Sequence, residues 1–273
     1  MIDLKDVSYS YGRREALTDV TCSLPTGIHL LVGENGAGKT TLLHIIAGLL
    51  RPASGSCEID GNDVWPRKPM TQSATFFMAD NMELPFRDLA TAARVHAPFY
   101  PNFSSDDLAT NLTEFGISAE TPLRRMSLGE RRRAGVAYVL ALHPDVLLLD
   151  EPANGLDIDA RKTLRRMMGR CVGDNQTVVV STHVVADLEP LFDNLIVLSH
   201  GRSLLCSPLW QIAGRLGFVR SASPVADAVY QEPDGPFFRA IVETGDESES
   251  AVDIALLYSA IMSDSRDKIL NSL

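Results

Sequence analysis

Nine consecutive residues, Gly33-Glu34-Asn35-Gly36-Ala37-Gly38-Lys39-Thr40-Thr41, carry the G-x-x-x-x-G-K-S/T spacing of a phosphate-cradling loop. The glycines let successive backbone N–H groups converge on one anion, and a helix starting at the end of the loop adds its positive pole there. In that frame Lys39 would reach the β- and γ-phosphates, and the Thr40 hydroxyl would ligate Mg²⁺. Two carboxylates, Asp150 and Glu151, follow four aliphatics, Val146 to Leu149. Asp150 would hold Mg²⁺ through its water shell and Glu151 would polarise an attacking water, because phosphoryl transfer asks for positioning more than for covalent chemistry. A third apolar run, Thr177 to Val180, ends at Ser181-Thr182-His183. Together these residues imply a site for a nucleoside triphosphate and its metal.

Such residues need strands and a helix to hold them. Ile28 to Val32 is short, branched and apolar, as a buried strand before the loop requires. After the loop, Leu42, Leu43, Ile45, Ile46 and Leu49 recur at helical spacing, and Arg51-Pro52 marks a stop. Val146 to Leu149 reads as a buried parallel strand whose C-terminal end opens on the site. Residues 1–27 alternate weakly through Ile2, Leu4, Val7, Leu17 and Val20, which predicts a small antiparallel sheet. Between Pro85 and Pro122, short helical signals are punctuated by prolines and by the cap Ser104-Ser105-Asp106-Asp107. Phe86, Phe99, Tyr100 and Phe103 there suit either a docking surface or a small core.

From about residue 216 the composition changes. The tail holds 10 acidic and 4 basic residues, net −6 of the chain's −10. Phe237 to Val242 reads as a strand and Gly245 to Ser250 as a flexible acidic turn. Ile254, Leu257, Tyr258, Ile261 and Met262 then line one face of an amphipathic helix, which predicts docking onto the preceding domain.

Composition bounds the function. With 273 residues and 45% apolar content, the chain suits one large domain plus an appendage and is not disordered. The acidic balance argues against nucleic acid as a partner. Arg131-Arg132-Arg133 and the basic positions from Arg161 to Arg166 read as solvated helix faces. Cys22, Cys57, Cys171 and Cys206 show no paired spacing, so no zinc site is expected, and all four read as free thiols of a reducing cytoplasm. No signal segment opens the sequence, and no apolar run approaches the ~20 residues of a membrane span.

The ordered set GENGAGKTT, Met126-Ser127-Leu128-Gly129-Glu130, LLLDEP, Asn154-Gly155-Leu156-Asp157 and Ser181-Thr182-His183 resembles the ATP-binding subunits of ABC transporters over about the first 215 residues. The resemblance implies an α/β phosphate-loop NTPase of ABC ATPase type. Its parts would be a mostly parallel core sheet with helices, an N-terminal antiparallel β subdomain over the adenine and a helical subdomain at about 85–135; the strand and helix read in the tail add a C-terminal α+β appendage at 216–273. It also implies ATP and Mg²⁺ as ligands and a stacking role for Tyr11 on adenine, with Tyr9 as a second aromatic of the same kind. Ser127 and Gly129 would face the γ-phosphate of a second subunit, Asp157 would lie in the loop crossing that interface, and His183 would be the switch histidine. The implied protein is an ATPase whose paired subunits, identical or different, power a separate integral membrane permease from the cytoplasmic face, in the direction of export. A soluble ABC-type ATPase and a slow or non-hydrolytic regulator are the alternatives.

Two departures stand out. Leu128 occupies a position usually held by glycine, and a leucine would be strained there if the backbone needs positive φ. Glu130 places a carboxylate where glutamine is usual. Aligning Phe76-Phe77-Met78 with the strand before the family's glutamine loop puts Asp80 or Asn81 in the glutamine's place, with Asp80 able to hold a Mg²⁺-bound water. Both changes predict slower hydrolysis than a consensus subunit.

Overall fold

The strands that end at the candidate residues are neighbours in one sheet. A computed structural model of the protein describes residues 1–244 and 251–273; the acidic turn expected at Gly245 to Ser250 lies outside them. The central sheet joins β3 (Gly27–Gly33), β6 (Thr75–Met78), β7 (Val146–Asp150), β8 (Thr177–Ser181), β9 (Asn194–Ser199) and β10 (Arg202–Pro208) in the order β10-β9-β3-β8-β7-β6. Five strands run parallel, and β10 closes one edge antiparallel to β9. Strands β7, β8 and β9 are buried at every position, as a sheet covered on both faces demands.

Alternation sorts their side chains. Leu30, Leu147, Leu149, Val178, Val180 and Val197 face one core, which α5 (Leu128–Ala141) and α6 (Ile158–Cys171) cover. Leu31, Leu148, Val179, Ile196 and Leu198 face the other, shared with α1 (Lys39–Ile46) and the N-terminal sheet. That second sheet is antiparallel, ordered β2-β1-β4-β5 from β1 (Ile2–Tyr11), β2 (Arg14–Leu24), β4 (Ser54–Ile59) and β5 (Asn62–Asp63). Ile2, Leu4, Val7, Leu17 and Val20 are all buried there, which is the reason for the weak alternation in the sequence.

Short helices follow the second sheet. They are α2 (Pro69–Ser73), α3 (Leu89–Val95) and α4 (Ser105–Glu114), the last capped by Ser104, whose Oγ accepts from the Asp107 N–H at 3.0 Å. Phe86, Tyr100 and Phe103 pack against the core, and Phe99 is exposed. Beyond β8 lie α7 (Val185–Leu188) and α8 (Leu209–Ala213). The tail forms β11 (Leu216–Ser221), β12 (Ala228–Asp234) and β13 (Phe237–Glu243), ordered β11-β13-β12, then α9 (Ile254–Ile261) and α10 (Arg266–Asn271). Ile254, Leu256, Leu257, Ala260 and Ile261 are buried in the same core as the central sheet, and the Ile254 N–H donates to Glu189 Oε1 at 3.2 Å. The amphipathic face therefore docks on the preceding domain.

The cysteine expectation is corrected. Cys22 on β2 and Cys206 on β10 form a disulfide with Cα atoms 6.0 Å apart, while Cys57 and Cys171 are free and buried. A separation of 184 residues leaves no spacing signal in the sequence. The pair meets because β2 runs beside β10, where the Thr18 N–H donates to Gly201 O at 2.8 Å. Among the described residues, no helix is long and apolar enough to cross a membrane.

Candidate nucleotide site

The loop from Gly33 to Lys39 is wedged between β2 and β9. A Cβ on Gly33 would lie 2.3 Å from Leu198 O, and one on Gly38 would lie 2.6 Å from Ala16 O. Gly38 also sits at φ 105°, in the left-handed region, where it caps α1. Lys39 opens that helix, buried, with Nζ donating to the loop's own carbonyls, Gly33 O at 2.7 Å and Glu34 O at 3.2 Å. Burial lowers its pKa from the ordinary lysine value, and Glu151 and Asp150 oppose that shift. Thr40 Oγ1 donates to Asp150 Oδ2 at 2.8 Å, so the hydroxyl and the carboxylate already converge.

These groups open on a cleft of about 570 Å³. Tyr11, Asn35, Gly36, Gly38, Lys39, Thr40, Thr41, Asp80, Asp150, Glu151 and His183 all line it. Gly33, Glu34 and Ala37 belong to the loop without lining the cleft; Ser127 and Gly129 lie elsewhere. The donor set fits Mg²⁺, a hard cation that takes one or two protein oxygens and completes its shell with phosphate and water. Among the described residues no cluster of three or more His, Cys, Asp or Glu offers an all-protein metal cage.

Glu151 holds an unusual backbone conformation. Its φ is 51°, left-handed for a residue with a Cβ, at a cost of about 1–2 kcal/mol. The surroundings fix it from every side. Its N–H donates to Ser181 O at 2.7 Å, and its carbonyl accepts from Arg132 Nη2 and from the Asn154 N–H. Oε2 accepts from the His183 N–H at 3.2 Å, and Oε1 lies 3.2 Å from His183 Nε2. The structure thus joins the two residues that the sequence placed at the ends of separate strands.

Arg132 corrects the reading of the basic run. It is not a solvated helix residue: its side chain is 14% exposed and Nη2 also bonds Asp80 Oδ1 at 2.7 Å. Arg161 is likewise engaged, with Leu156 O and Asp187, and Arg166 and Arg170 meet Glu114. Spacing alone could not show this, because the acidic partners of Arg132, Arg161, Arg166 and Arg170 each lie 26 or more residues away.

Leu128 brings a second correction. It is the first residue of α5 and is absent from the residues at positive φ, so no backbone strain attaches to it. Glu130 has a local purpose as well. Ser127 Oγ accepts from the Glu130 N–H at 3.3 Å, while Glu130 Oε2 accepts from the Ser127 N–H at 2.8 Å, a capping box. The hydrogen bonds from Ser127 hold the Glu130 carboxyl below its ordinary range. Asp157 caps α6 in the same manner, accepting from the Ala160 N–H at 2.8 Å.

Tyr9 and Tyr11 touch edge to face, with ring centroids 4.9 Å apart, but their surroundings differ. Tyr9 packs against the core of the antiparallel sheet, whereas Tyr11 lines the cleft beside Arg14. Arg14 and Asn154 also line the cleft, and sequence reasoning assigned neither to it. Asn154 sat in a quoted motif; Arg14 carried no signal, since it lies across a turn from Tyr11.

A parallel sheet with its phosphate loop, carboxylates and histidine on one edge defines a phosphate-loop nucleotide-binding protein. The ABC transporter family model matches residues 17–154. The chain belongs to this family, as an ATP-binding subunit. It is 29% identical over 223 residues to the lantibiotic transport ATP-binding protein SrtF of Streptococcus pyogenes, spanning 75% of this chain and 90% of SrtF. It is also 29% identical over 212 residues to the bacitracin transport ATP-binding protein BcrA of Bacillus licheniformis, spanning 75% and 68%. A solved ATP-binding subunit of an ABC transporter superposes with a TM-score of 0.69 at 25% identity, covering 78% of this chain and 91% of that one.

Proposed function

We propose that this subunit hydrolyses ATP in a head-to-tail pair and drives a separate membrane permease, in the direction of export, from the cytoplasmic face. The observation that carries the reading is the Glu151–His183 pair in the same cleft as Lys39 and the Thr40–Asp150 contact. Gly33 to Thr41 cradle the phosphates, and Tyr11 stacks on the adenine. Thr40 and Asp150 would hold Mg²⁺, with Asp80 toward its water shell; the ion would supply charge neutralisation. Lys39 leaves the loop carbonyls for phosphate oxygens. Glu151 accepts a proton from the attacking water, and His183 orients both that carboxylate and the γ-phosphate.

Ser127 and Gly129 complete the site of the partner, which is favoured to be a second copy. Residues 1–215 form the ATPase unit and 216–273 an accessory segment. The named functions of SrtF and BcrA in transport support a permease as the other partner, and no role for nucleic acid follows from the acidic surface.

The test compares the native chain with Glu151→Gln, measuring ATP turnover and size-exclusion mass in ATP and Mg²⁺. Turnover by the native chain, with a stable ATP-bound dimer only in the variant, is the expected result. No turnover and no dimer from either, even with the permease present, would sink the reading.

A further inference from the structure

We propose that Arg132 is a positioning residue for the hydrolytic carboxylate, tying the main chain at Glu151 to the segment after β6 and to the groove beside α5. The inference rests on the role given above to Glu151.

Four residues close a ring. Arg132 Nη2 donates both to Asp80 Oδ1 and to Glu151 O. Asn154 Nδ2 donates to the same Asp80 oxygen at 3.0 Å, and the Asn154 N–H donates to Glu151 O at 3.1 Å. The ring therefore locks one peptide oxygen from two sides and one carboxylate oxygen from two sides. That peptide belongs to the residue held at φ 51°, a conformation that persists only where the surroundings over-determine it. Arg132 is the only member contributed by α5, the helix that starts at Ser127. Shifts of α5 are thereby conveyed to Glu151 through one side chain.

Arg132 also lines a second cavity, of about 310 Å³, with Met82, Leu84, Phe86, Leu128 and Gly135. Asp80 is accordingly assigned to Arg132 first, and its influence on Mg²⁺ is secondary. Arg131 and Arg133, flanking it on the helix, have no bond to the ring.

The experiment uses the full chain with Arg132→Met, Arg132→Lys, Asp80→Asn and the Arg132→Met/Asp80→Asn pair. Hydrogen exchange of the segment 151–156 is read beside turnover, the ATP KM and the Mg²⁺ dependence. Arg132→Met is expected to speed exchange of that segment and to lower kcat, each about tenfold or more, with KM for ATP within about threefold. Exchange in β7 and the melting temperature stay at native values. Arg132→Lys restores part of the loss, and the double variant falls no lower than Arg132→Met alone, since the two residues act through one contact. Unchanged exchange in Arg132→Met, additive losses in the double variant, or a shifted Mg²⁺ requirement in Asp80→Asn without any change in segment 151–156 would each overturn the assignment. A native chain without turnover would count against the proposed function, and the exchange measurement would still decide the role of Arg132.

Discussion

The phosphate loop and the Ser127–Glu130 turn both place a glycine ahead of or inside the first turn of a helix, yet the chain treats them differently. At Gly33 and Gly38 a Cβ would collide with backbone oxygens of neighbouring strands. At Gly129 a Cβ would meet nothing within 4 Å, and its neighbour Leu128 is 76% exposed. The loop is shaped by its own molecule. The turn is capped by its own molecule, through Ser127 and Glu130, but nothing in the fold asks for glycine at its outer face. That open face is compatible with the pairing proposed above, in which Ser127 and Gly129 meet a second subunit.

The sharpest way to break this contrast is Gly38→Ala. Its added methyl must sit at left-handed φ against Ala16 O, so about 3 kcal/mol of stability and all measurable ATP binding are expected to be lost. Denaturant unfolding and nucleotide titration read both. Next in size is Cys22→Ser, which frees β2, the strand pressed on Gly38, from β10; under non-reducing conditions it is expected to cost about 2–4 kcal/mol by thermal unfolding, and nothing once the native protein is reduced.

Ser127→Ala removes the cap of α5 and should cost about 1 kcal/mol. The partner in that cap adds a pH signature. Hydrogen bonds lower the Glu130 pKa in the folded chain, so its contribution is present above the ordinary value of 4.5 and is lost as pH falls through the lowered one. Melting curves of native and Ser127→Ala protein should draw closer across that acid window, leaving the gap due to the Ser127 Oγ cap on the Glu130 N–H, which does not titrate. Gly129→Ala is expected to change stability least, by about 0.5 kcal/mol or less, while in the Glu151→Gln background it abolishes the ATP-trapped dimer on size exclusion. A large loss of stability in Gly129→Ala would erase the distinction between the two regions.

Sequence alone exposed the phosphate loop, the strands at Ile28, Val146 and Thr177, and the polar residues at their ends, because those signals are local runs and fixed spacings. It also showed the tail helix, whose period of apolar residues survives in α9. What it hid was contact between distant residues. Arg132 lies 52 residues from Asp80, and its two arginine neighbours make the run look solvated. Glu130 reads as a deviation from glutamine until the Ser127 hydrogen bonds show a capping box, although Ser-x-x-Glu before a helix is itself a readable pattern. Leu128 looked strained only because its backbone was inferred from another residue type. The disulfide could not be paired from spacing at all.

That disulfide also gives the chain a mechanical topology. With Cys22 and Cys206 joined, every residue between them is enclosed in one covalent loop, and the phosphate loop, Asp80, Ser127, Glu151 and His183 are all inside it. Tyr11, Arg14 and the residues after Cys206 lie outside that covalent loop. Tension applied at the two ends of the chain would run through the sulfur–sulfur bond and bypass the loop. Such a pull would peel away β1, which bears Tyr11, and the tail first, leaving the segment with the Gly33–Thr41 loop unloaded.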